Sequence, residues 1–234
     1  AHLCVCVYQR VRVLNCIMPP YSPLSMPSFY SVTNAVGTNF LVLGSYGIKG
    51  KKPSVLGSCT DVSVRRVFAS TIIVKDTSDI KGRKDAKTFL VMHDGSHGSS
   101  SAIRLVSHVM RPTDTMVVVH CSTESSRMGD RERHPAAVMD RINSEVIACG
   151  VNAQQHHVEV RVGEMVSETI THIANGLGEG KVNVDCDFLV LGVDGMSAYR
   201  EAKEVGLPDD ALVMGSVTDS VIKRCRPSVI IAKP

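Results

Sequence analysis

Short apolar runs alternate with amphipathic segments along most of this chain. Runs of this length are typical of strands buried on both faces of a sheet, and strands are predicted at residues 40–43, 88–93, 116–121, 158–162 and 188–191. Between the last four, apolar residues recur at helical spacing: Ala102, Val106 and Val109, then Val138, Ile142 and Val146, then Val166, Ile170, Ile173 and Leu177. This alternation predicts an α/β fold with a doubly wound parallel sheet, in which ligands bind beyond the carboxyl ends of the strands.

The pattern of residues 40–75 recurs in the second half of the chain. FLVLGSYG returns as FLVLGVDG at 188–195, GSCTDVSVRR as GSVTDSVIKR at 215–224, and STIIVK as SVIIAK at 228–233. A repeat of strand, loop, helix and strand predicts two copies of one unit. Residues 76–87 are polar and lack periodicity, so they are predicted to be a linker. The predicted domains are therefore residues 1–75, which are incomplete, and residues 88–234.

A glycine-rich loop follows the first of the repeated strands. Gly44 and Gly47 are separated by two residues, and nine more precede Gly57 and Ser58. Glycine lets backbone N–H groups approach an anion, and Ser58 is followed by residues that start helices, so a helix is predicted through Phe68. A helix N-terminus after a strand is a phosphate-binding feature. The alternative is a glycine-rich crossover with solvated lysines at 49, 51 and 52.

The spacing Gly44-x2-Gly47-x9-Gly57-Ser58, with FLVLGSYG before it and STIIVK after it, resembles the ATP-binding signature of the universal stress protein family. The second half is similar to the family from residue 88 to residue 233. The resemblance implies two Rossmann-like domains, each a five-stranded parallel sheet flanked by helices, with ATP or another adenine nucleotide at the carboxyl ends of the strands. It also implies that domains pair through their final strands, and two copies in one chain resemble tandem members of the family.

The family's contact positions map onto residues of both copies. In the first copy the resemblance implies nucleotide contacts from Gly44, Gly47, Gly57, Ser58 and Cys59. In the second copy it places Asp94 and Cys121 at the adenine, and Gly192, Gly195, Gly215, Ser216 and Val217 at the ribose and phosphates. Nineteen residues, not nine, separate Gly195 from Gly215, and this insertion carries four carboxylates. Carboxylates oppose phosphate binding unless a cation such as Mg²⁺ intervenes, so nucleotide binding and a vacant structural loop both stay open for this copy.

The first 39 residues do not fit the unit as well. Residues 11–20 resemble the strand at 116–124, and residues 1–10 are either a first strand or the end of a helix. Parallel strands need a long crossover, and the chain is too short here to supply one. Missing segments are therefore expected near residues 9–12 and within 19–39, and the absence of a starting Met agrees with this expectation.

Composition narrows the classes of function. Hydrophobic residues make up 44% of the chain and aromatic residues only 4%, so the core must consist of aliphatic side chains. The net charge of +3 comes from interspersed charges without stacking aromatics, which argues against nucleic-acid binding. No apolar run has the length of a membrane span and no signal segment is recognised, so a cytoplasmic protein without membrane contact is predicted. The eight cysteines form no Cys-x2-Cys pair and are predicted to be reduced thiols.

Three functions are compatible with these features. The first is a universal stress protein-like module that binds ATP or another adenine nucleotide and has a ligand-responsive, non-catalytic role in stress responses. The second is a nucleotide-free interaction module, and the third is a slow ATP hydrolase. No catalytic residues or metal ligands are predicted, and His120, His156 and His157 are interpreted as structural. The final strands, 71–74 and 229–232, are predicted to pair as an intramolecular pseudo-dimer, with a homodimer as a further option.

Overall fold

The structure is a computed structural model that describes residues 4–9, 12–17, 40–45, 56–75, 86–124, 134–178, 182–193 and 214–233. The strands are β1 (Cys4–Gln9), β2 (Arg12–Ile17), β3 (Phe40–Gly44), β4 (Ser70–Val74), β5 (Thr88–Met92), β6 (Thr115–Ser122), β7 (Ala153–Glu159), β8 (Phe188–Gly192) and β9 (Ser228–Ala232). The helices are α1 (Ser58–Arg66), α2 (His97–Val109), α3 (Pro135–Ala148), α4 (Val166–Ala174) and α5 (Ser216–Arg224). The predicted linker lies outside the described residues, except for its last two positions.

All nine described strands belong to one sheet, in the order β2-β1-β3-β4-β9-β8-β5-β6-β7. The five strands from β9 to β7 come from the second half and are parallel. The chain runs outward in one direction from β5 through β6 to β7, and then starts again from β8 to β9 on the other side of β5. Strand order therefore reverses between β5 and β8, and such a point is where ligands bind in open α/β sheets. The predicted α/β, Rossmann-like fold class is confirmed.

Two apolar layers cover the faces of this sheet. Leu90 of β5 belongs to the layer that α4 and α5 cover, whereas the next residue, Val91, belongs to the layer under α2 and α3. Both side chains have no exposed surface. Strands buried on both faces explain why β5, β6 and β8 appear in the sequence as continuous apolar runs.

The N-terminal segment differs from the parallel unit that the sequence predicted. β1 and β2 form an antiparallel hairpin in which Gln9 pairs with Arg12, and β1 lies antiparallel to β3. An antiparallel pair can be joined by two residues, so the crossover that motivated a break near residues 9–12 is not needed. The predicted break near residues 9–12 assumed that the first two strands are parallel, and this assumption was wrong. The first half is therefore not an all-parallel sheet. The second predicted break, within 19–39, lies outside the described residues.

The third strand of the second half also begins earlier than predicted. β7 covers Ala153–Glu159 instead of residues 158–162. It lies at the edge of the sheet and has no fully buried position, so it carries Gln154, Gln155, His156 and His157 in place of an apolar run. The polar sequence of β7 gave no strand signal, because an edge strand has less apolar surface to bury than a central one.

The two halves of the chain meet at β4 and β9. These strands pair antiparallel, with Ile72 opposite Ile230 and Thr71 opposite Ile231. Ile72 and Ile230 occupy equivalent positions in the repeated STIIVK and SVIIAK segments, so a pseudo-twofold axis passes between them. The predicted pairing of the final strands is confirmed.

Candidate functional site

The same backbone turn connects strand to helix in both halves. After β3, the Ser45 N–H donates to Val74 O at 2.9 Å, and the Gly57 N–H donates to Ser45 O at 3.0 Å. After β8, the equivalent N–H of Val193 donates to Ala232 O at 2.9 Å, and that of Gly215 donates to Val193 O at 2.9 Å. The turn thus joins the end of the strand, the next strand of the sheet and the start of the helix. The two halves reproduce this geometry although the segment between Gly195 and Gly215 is ten residues longer than its counterpart.

A threonine in each helix strengthens the turn. Thr60 Oγ1 donates to Gly44 O at 2.7 Å, and Thr218 Oγ1 donates to Gly192 O at 2.9 Å. Each hydroxyl fixes the first turn of its helix to the last residue of the preceding strand. The sequence predicted that the residues after Ser58, Thr60 among them, start a helix, and it did not single out Thr218. The signal was available, because Gly-Ser-x-Thr-Asp occurs at the start of both helices.

Glycine is the N-cap residue of both helices. Gly57 has φ −58° and ψ 141°, and Gly215 has φ −62° and ψ 143°. Because glycine has no side chain, neither N-cap supplies an acceptor to the first-turn N–H groups. At the start of α2, in contrast, Ser96 Oγ accepts from the Ser99 N–H at 3.2 Å. The two glycine-capped helix ends therefore leave room for an external acceptor, which an anion could supply.

Acidic side chains near these helix starts are paired with cations. Asp61 and Asp219 occupy the first turns of α1 and α5. Arg65 contacts Asp61 at 3.4 Å and also binds Asp219 in the other half, and Lys223 Nζ donates to Asp219 Oδ2 at 2.7 Å. These contacts reduce the repulsion that the two carboxylates would otherwise exert on an anion, and they connect the two helices across the pseudo-twofold axis.

Asp94 and Cys121 lie near the carboxyl ends of neighbouring parallel strands. Asp94 follows β5 and is exposed, and its Oδ1 accepts from the Ser96 N–H at 3.0 Å. Cys121 is the next-to-last residue of β6 and packs against the layer under α4 and α5. Burial raises the pKa of its thiol to about 12, so the side chain is neutral and acts as a small apolar surface. The parallel pairing of β5 with β6 and β8 brings both residues to the same sheet edge as Gly192.

Gly192 has a packing role that the sequence did not predict. A Cβ atom at this position would lie 2.6 Å from Gly98 C and 2.8 Å from Ser99 N, both in the backbone of α2. The end of β8 therefore approaches the first turn of α2 more closely than any side chain permits. This contact explains the glycine without a ligand.

Only some of the remaining predicted contact residues lie within the described part of the chain. Ser58 and Ser216 are the first residues of α1 and α5, and both are exposed. Val217 follows Ser216 with 37% of its surface exposed. Gly47 and Gly195 lie outside the described residues, and so does the side chain of Cys59.

Buried histidines form a separate cluster on the α3 side of the sheet. Gly95 N donates to His93 Nδ1 at 3.1 Å, so His93 Nε2 carries a proton and donates to Glu145 Oε2 at 3.2 Å. His120 Nδ1 donates to His93 O at 2.8 Å, and the His120 ring stacks on His157 with centroids 5.7 Å apart. Burial lowers the pKa of His120, which keeps the ring neutral. His120 Nε2 is buried without a hydrogen-bond partner among the described residues, and the structural role of His120 stays a prediction.

The described residues contain neither a metal-binding cluster nor a membrane-spanning helix. Within the described part of the chain, no group of three or more His, Cys, Asp or Glu residues could bind a metal ion. No helix there has both the length and the apolar composition to cross a membrane. Cys121, Cys149, Cys186 and Cys225 carry free thiols, as predicted for them.

Comparisons with known proteins identify the fold. Neither a protein-family model nor a curated protein matches the sequence. A universal stress protein from Archaeoglobus fulgidus DSM 4304 superimposes with a TM-score of 0.61 at 18% identity, covering 89% of this chain and 66% of that one. A putative universal stress protein from Pseudomonas aeruginosa UCBPP-PA14 gives 0.57 at 15% identity, covering 90% and 68%. A protein of unknown function from Pseudomonas aeruginosa PAO1 gives 0.56 at 14% identity, covering 90% and 68%.

This chain thus spans about two thirds of the length of each of the three structures. The likeness extends over nine tenths of this chain and so includes both halves. The α/β architecture of the described strands and helices is the fold of the universal stress proteins.

Proposed function

We propose that this chain is a tandem universal stress protein-like module that binds ATP or another adenine nucleotide through its strand-to-helix turns. Its role is ligand-responsive and non-catalytic, and the proposal keeps the cytoplasmic location predicted from the sequence. The observation that carries the proposal is the duplicated turn at Gly44 to Ser58 and Gly192 to Ser216, with a glycine at each helix N-cap. The proposed domains are residues 1–75 and 88–234, joined by residues 76–87.

The physical basis is the anion affinity of a helix N-terminus. The N–H groups of the first turn point away from the helix, and the aligned peptide dipoles place partial positive charge there. Gly57 and Gly215 add no Cβ at the point of closest approach. A phosphate at Ser58 or Ser216 would accept hydrogen bonds from first-turn N–H groups, for which the N-cap glycine has no side-chain acceptor.

Adenine recognition is proposed at Asp94 and Cys121 for the second half. Asp94 is exposed beside the reversal point of strand order, and the neutral thiol of Cys121 offers an apolar contact. Gly47, Cys59, Gly195 and Val217 complete the proposed contact set. Mg²⁺ is proposed to accompany ATP at the second turn, because its insertion adds carboxylates that repel phosphate.

The first turn is proposed to be the stronger site. Its loop matches the nine-residue spacing, and it lacks the acidic insertion of the second. Ordering a longer loop also costs more conformational entropy. Ser58 is therefore expected to matter more for total binding than Ser216.

Equilibrium dialysis with labelled ATP, with and without Mg²⁺, tests the proposal. Replacing Ser58 by Asp puts a carboxylate where a phosphate would bind, and about tenfold weaker ATP binding is expected because like charges repel in a partly desolvated site. Ser144→Asp, on the exposed surface of α3, is the matched control and should leave binding unchanged. Equal ATP binding by Ser58→Asp and the parent would contradict the proposal.

The other two functions give different results in the same samples. A nucleotide-free interaction module would show no saturable ATP binding at either turn. A slow hydrolase would release phosphate from ATP over hours. The Ser58→Asp variant of such a hydrolase should release less phosphate than the parent.

A further inference from the structure

Each half of the chain ends in a lysine that crosses to the other half. Lys233, after β9, donates from Nζ to Val64 O at 2.7 Å and to Val67 O. Lys75, after β4, donates from Nζ to Ile222 O and Cys225 O, both at 2.6 Å. Val64 and Ile222 occupy equivalent positions in the repeat, as do Val67 and Cys225. The pseudo-twofold axis therefore relates two identical sets of contacts.

These carbonyls belong to the C-terminal ends of α1 and α5. The last carbonyls of a helix have no partners within the helix, and a cation there interacts favourably with the helix dipole. Each lysine thus supplies the C-terminal cap for a helix that belongs to the other half. Lys233 is only 6% exposed, and burial lowers its pKa to about 8, so its ammonium form predominates at neutral pH.

The opposite ends of the same helices are the proposed phosphate-binding ends. α1 has nine residues and is about 13 Å long, with Gly57 at its N-cap and the Lys233 ammonium at its C-terminus. Backbone hydrogen bonds connect the two ends of a helix this short, so a contact at one end helps to position the other. The N-terminus of α1 is therefore positioned by the last strand of the second half.

The contacts form a closed circuit through both turns. Val74, immediately before Lys75, accepts the Ser45 N–H of the first turn, and Ala232, immediately before Lys233, accepts the Val193 N–H of the second. From the first turn the circuit passes through β4 and Lys75 to α5 and the second turn. It returns through β9 and Lys233 to α1. A second link between the helices is the Arg65 contact with Asp219.

The geometry points to Lys75 and Lys233 as positioning residues. Each lysine holds the phosphate-binding helix of the other half of the chain in its binding conformation. The inference rests on the proposed function, because it assumes that the two turns bind nucleotide phosphate. It adds a regulatory consequence, since the affinity of each turn depends on a residue outside its own half.

The test measures one turn at a time. Ser216→Asp weakens the second turn, so ATP binding then reports mainly the first turn, and Ser58→Asp does the reverse. In the Ser216→Asp background, Lys233→Met should weaken ATP binding about tenfold, because it removes the charge that caps α1 and retains the side-chain stem. Lys75→Met should leave that affinity within about twofold, because it caps the other helix. In the Ser58→Asp background the two effects should exchange.

Ile72→Val is the matched control, because it changes the centre of the β4 and β9 pair without touching either lysine. It should leave both affinities within about twofold. Circular dichroism checks that each variant folds, and Lys→Gln, which retains a neutral donor, replaces a Met variant that does not fold.

The outcomes separate the two proposals. Lysine variants that weaken the turn of their own half, or both turns equally, would overturn the crossed positioning and leave nucleotide binding intact. A parent chain that binds no ATP at either turn would overturn the proposed function and this inference with it. The crossed pattern supports both, because general destabilisation of the fold would not exchange between backgrounds.

Discussion

Gly192, at the end of β8, is a position where the packing of the second half leaves no room for a side chain. Replacing it by Ala puts a methyl group 2.6 Å from Gly98 C, and the backbone of β8 or α2 must move to accept it. We expect the free energy of unfolding to fall by about 1–3 kcal/mol, measured by urea denaturation. Ser144→Ala, on an exposed helix surface, should change it by less than about 0.5 kcal/mol. A Gly192→Ala chain as stable as the parent would refute the close approach of β8 to α2.

The packing around Gly192 also limits which substitutions can be used to compare ATP binding at the two turns. Bulky replacements at Gly192 would disturb α2 whether or not a ligand binds, so loss of ATP binding in such variants would not identify a contact. Ser216 is the better position, because it is exposed at the first residue of α5. Substitutions there test the second turn while leaving the close packing of β8 intact.

Individual contacts were predictable only where they are local. The helix-start role of Thr60 follows from its neighbours, whereas its acceptor, Gly44 O, lies sixteen residues away. Lys233 and Val64 are 169 residues apart, and nothing near either residue identifies the other. The repeat shows that Lys75 and Lys233 are equivalent. That each crosses to the opposite helix depends on the pairing of β4 with β9.

At the scale of elements, the junction between β4 and β9 depends on strand hydrogen bonds. Ile73 pairs with Val229 in the antiparallel register and is fully buried, so a proline there removes a ladder donor inside the sheet. Ile73→Pro is expected to lower the free energy of unfolding by about 3 kcal/mol or more. Ile73→Val keeps the ladder and loses one methylene, so a loss of about 0.5–1.5 kcal/mol is expected. Thermal and urea unfolding of the two variants would show the difference, and equal stability would contradict the pairing.

Elements were predicted well where burial is complete and poorly where it is not. β5, β6 and β8 are covered on both faces, and their sequences are continuous apolar runs. β7 lies at the sheet edge, and its polar residues predicted no strand before Val158. The hairpin of β1 and β2 was missed for another reason. The family resemblance implied parallel strands there, whereas β1 and β2 pair antiparallel.

At the scale of the whole molecule, the two halves share one of the apolar layers. The apolar layer that includes Ile170 and Leu189 of the second half also contains Val64 of α1 and Ile73 of β4. The repeat in the sequence predicted two units, and the family resemblance predicted that they meet through their final strands. It did not predict a continuous sheet of nine strands, because that depends on how the first two strands pair.

The same junction leads to a prediction for a cut chain. A protease site inserted between Asp79 and Ile80 lies in the proposed linker, and cleavage there leaves β4 in one fragment and β9 in the other. Three contacts oppose separation: the strand pair, the crossed lysine caps and the Arg65 contact with Asp219. We therefore expect the two fragments to elute together in size-exclusion chromatography, at the mass of one chain by light scattering. The Ile73→Pro chain, cut at the same site, should separate because its ladder is broken. Fragments of the parent that separate at micromolar concentration would show that the covalent linker, and not the junction, keeps the halves together.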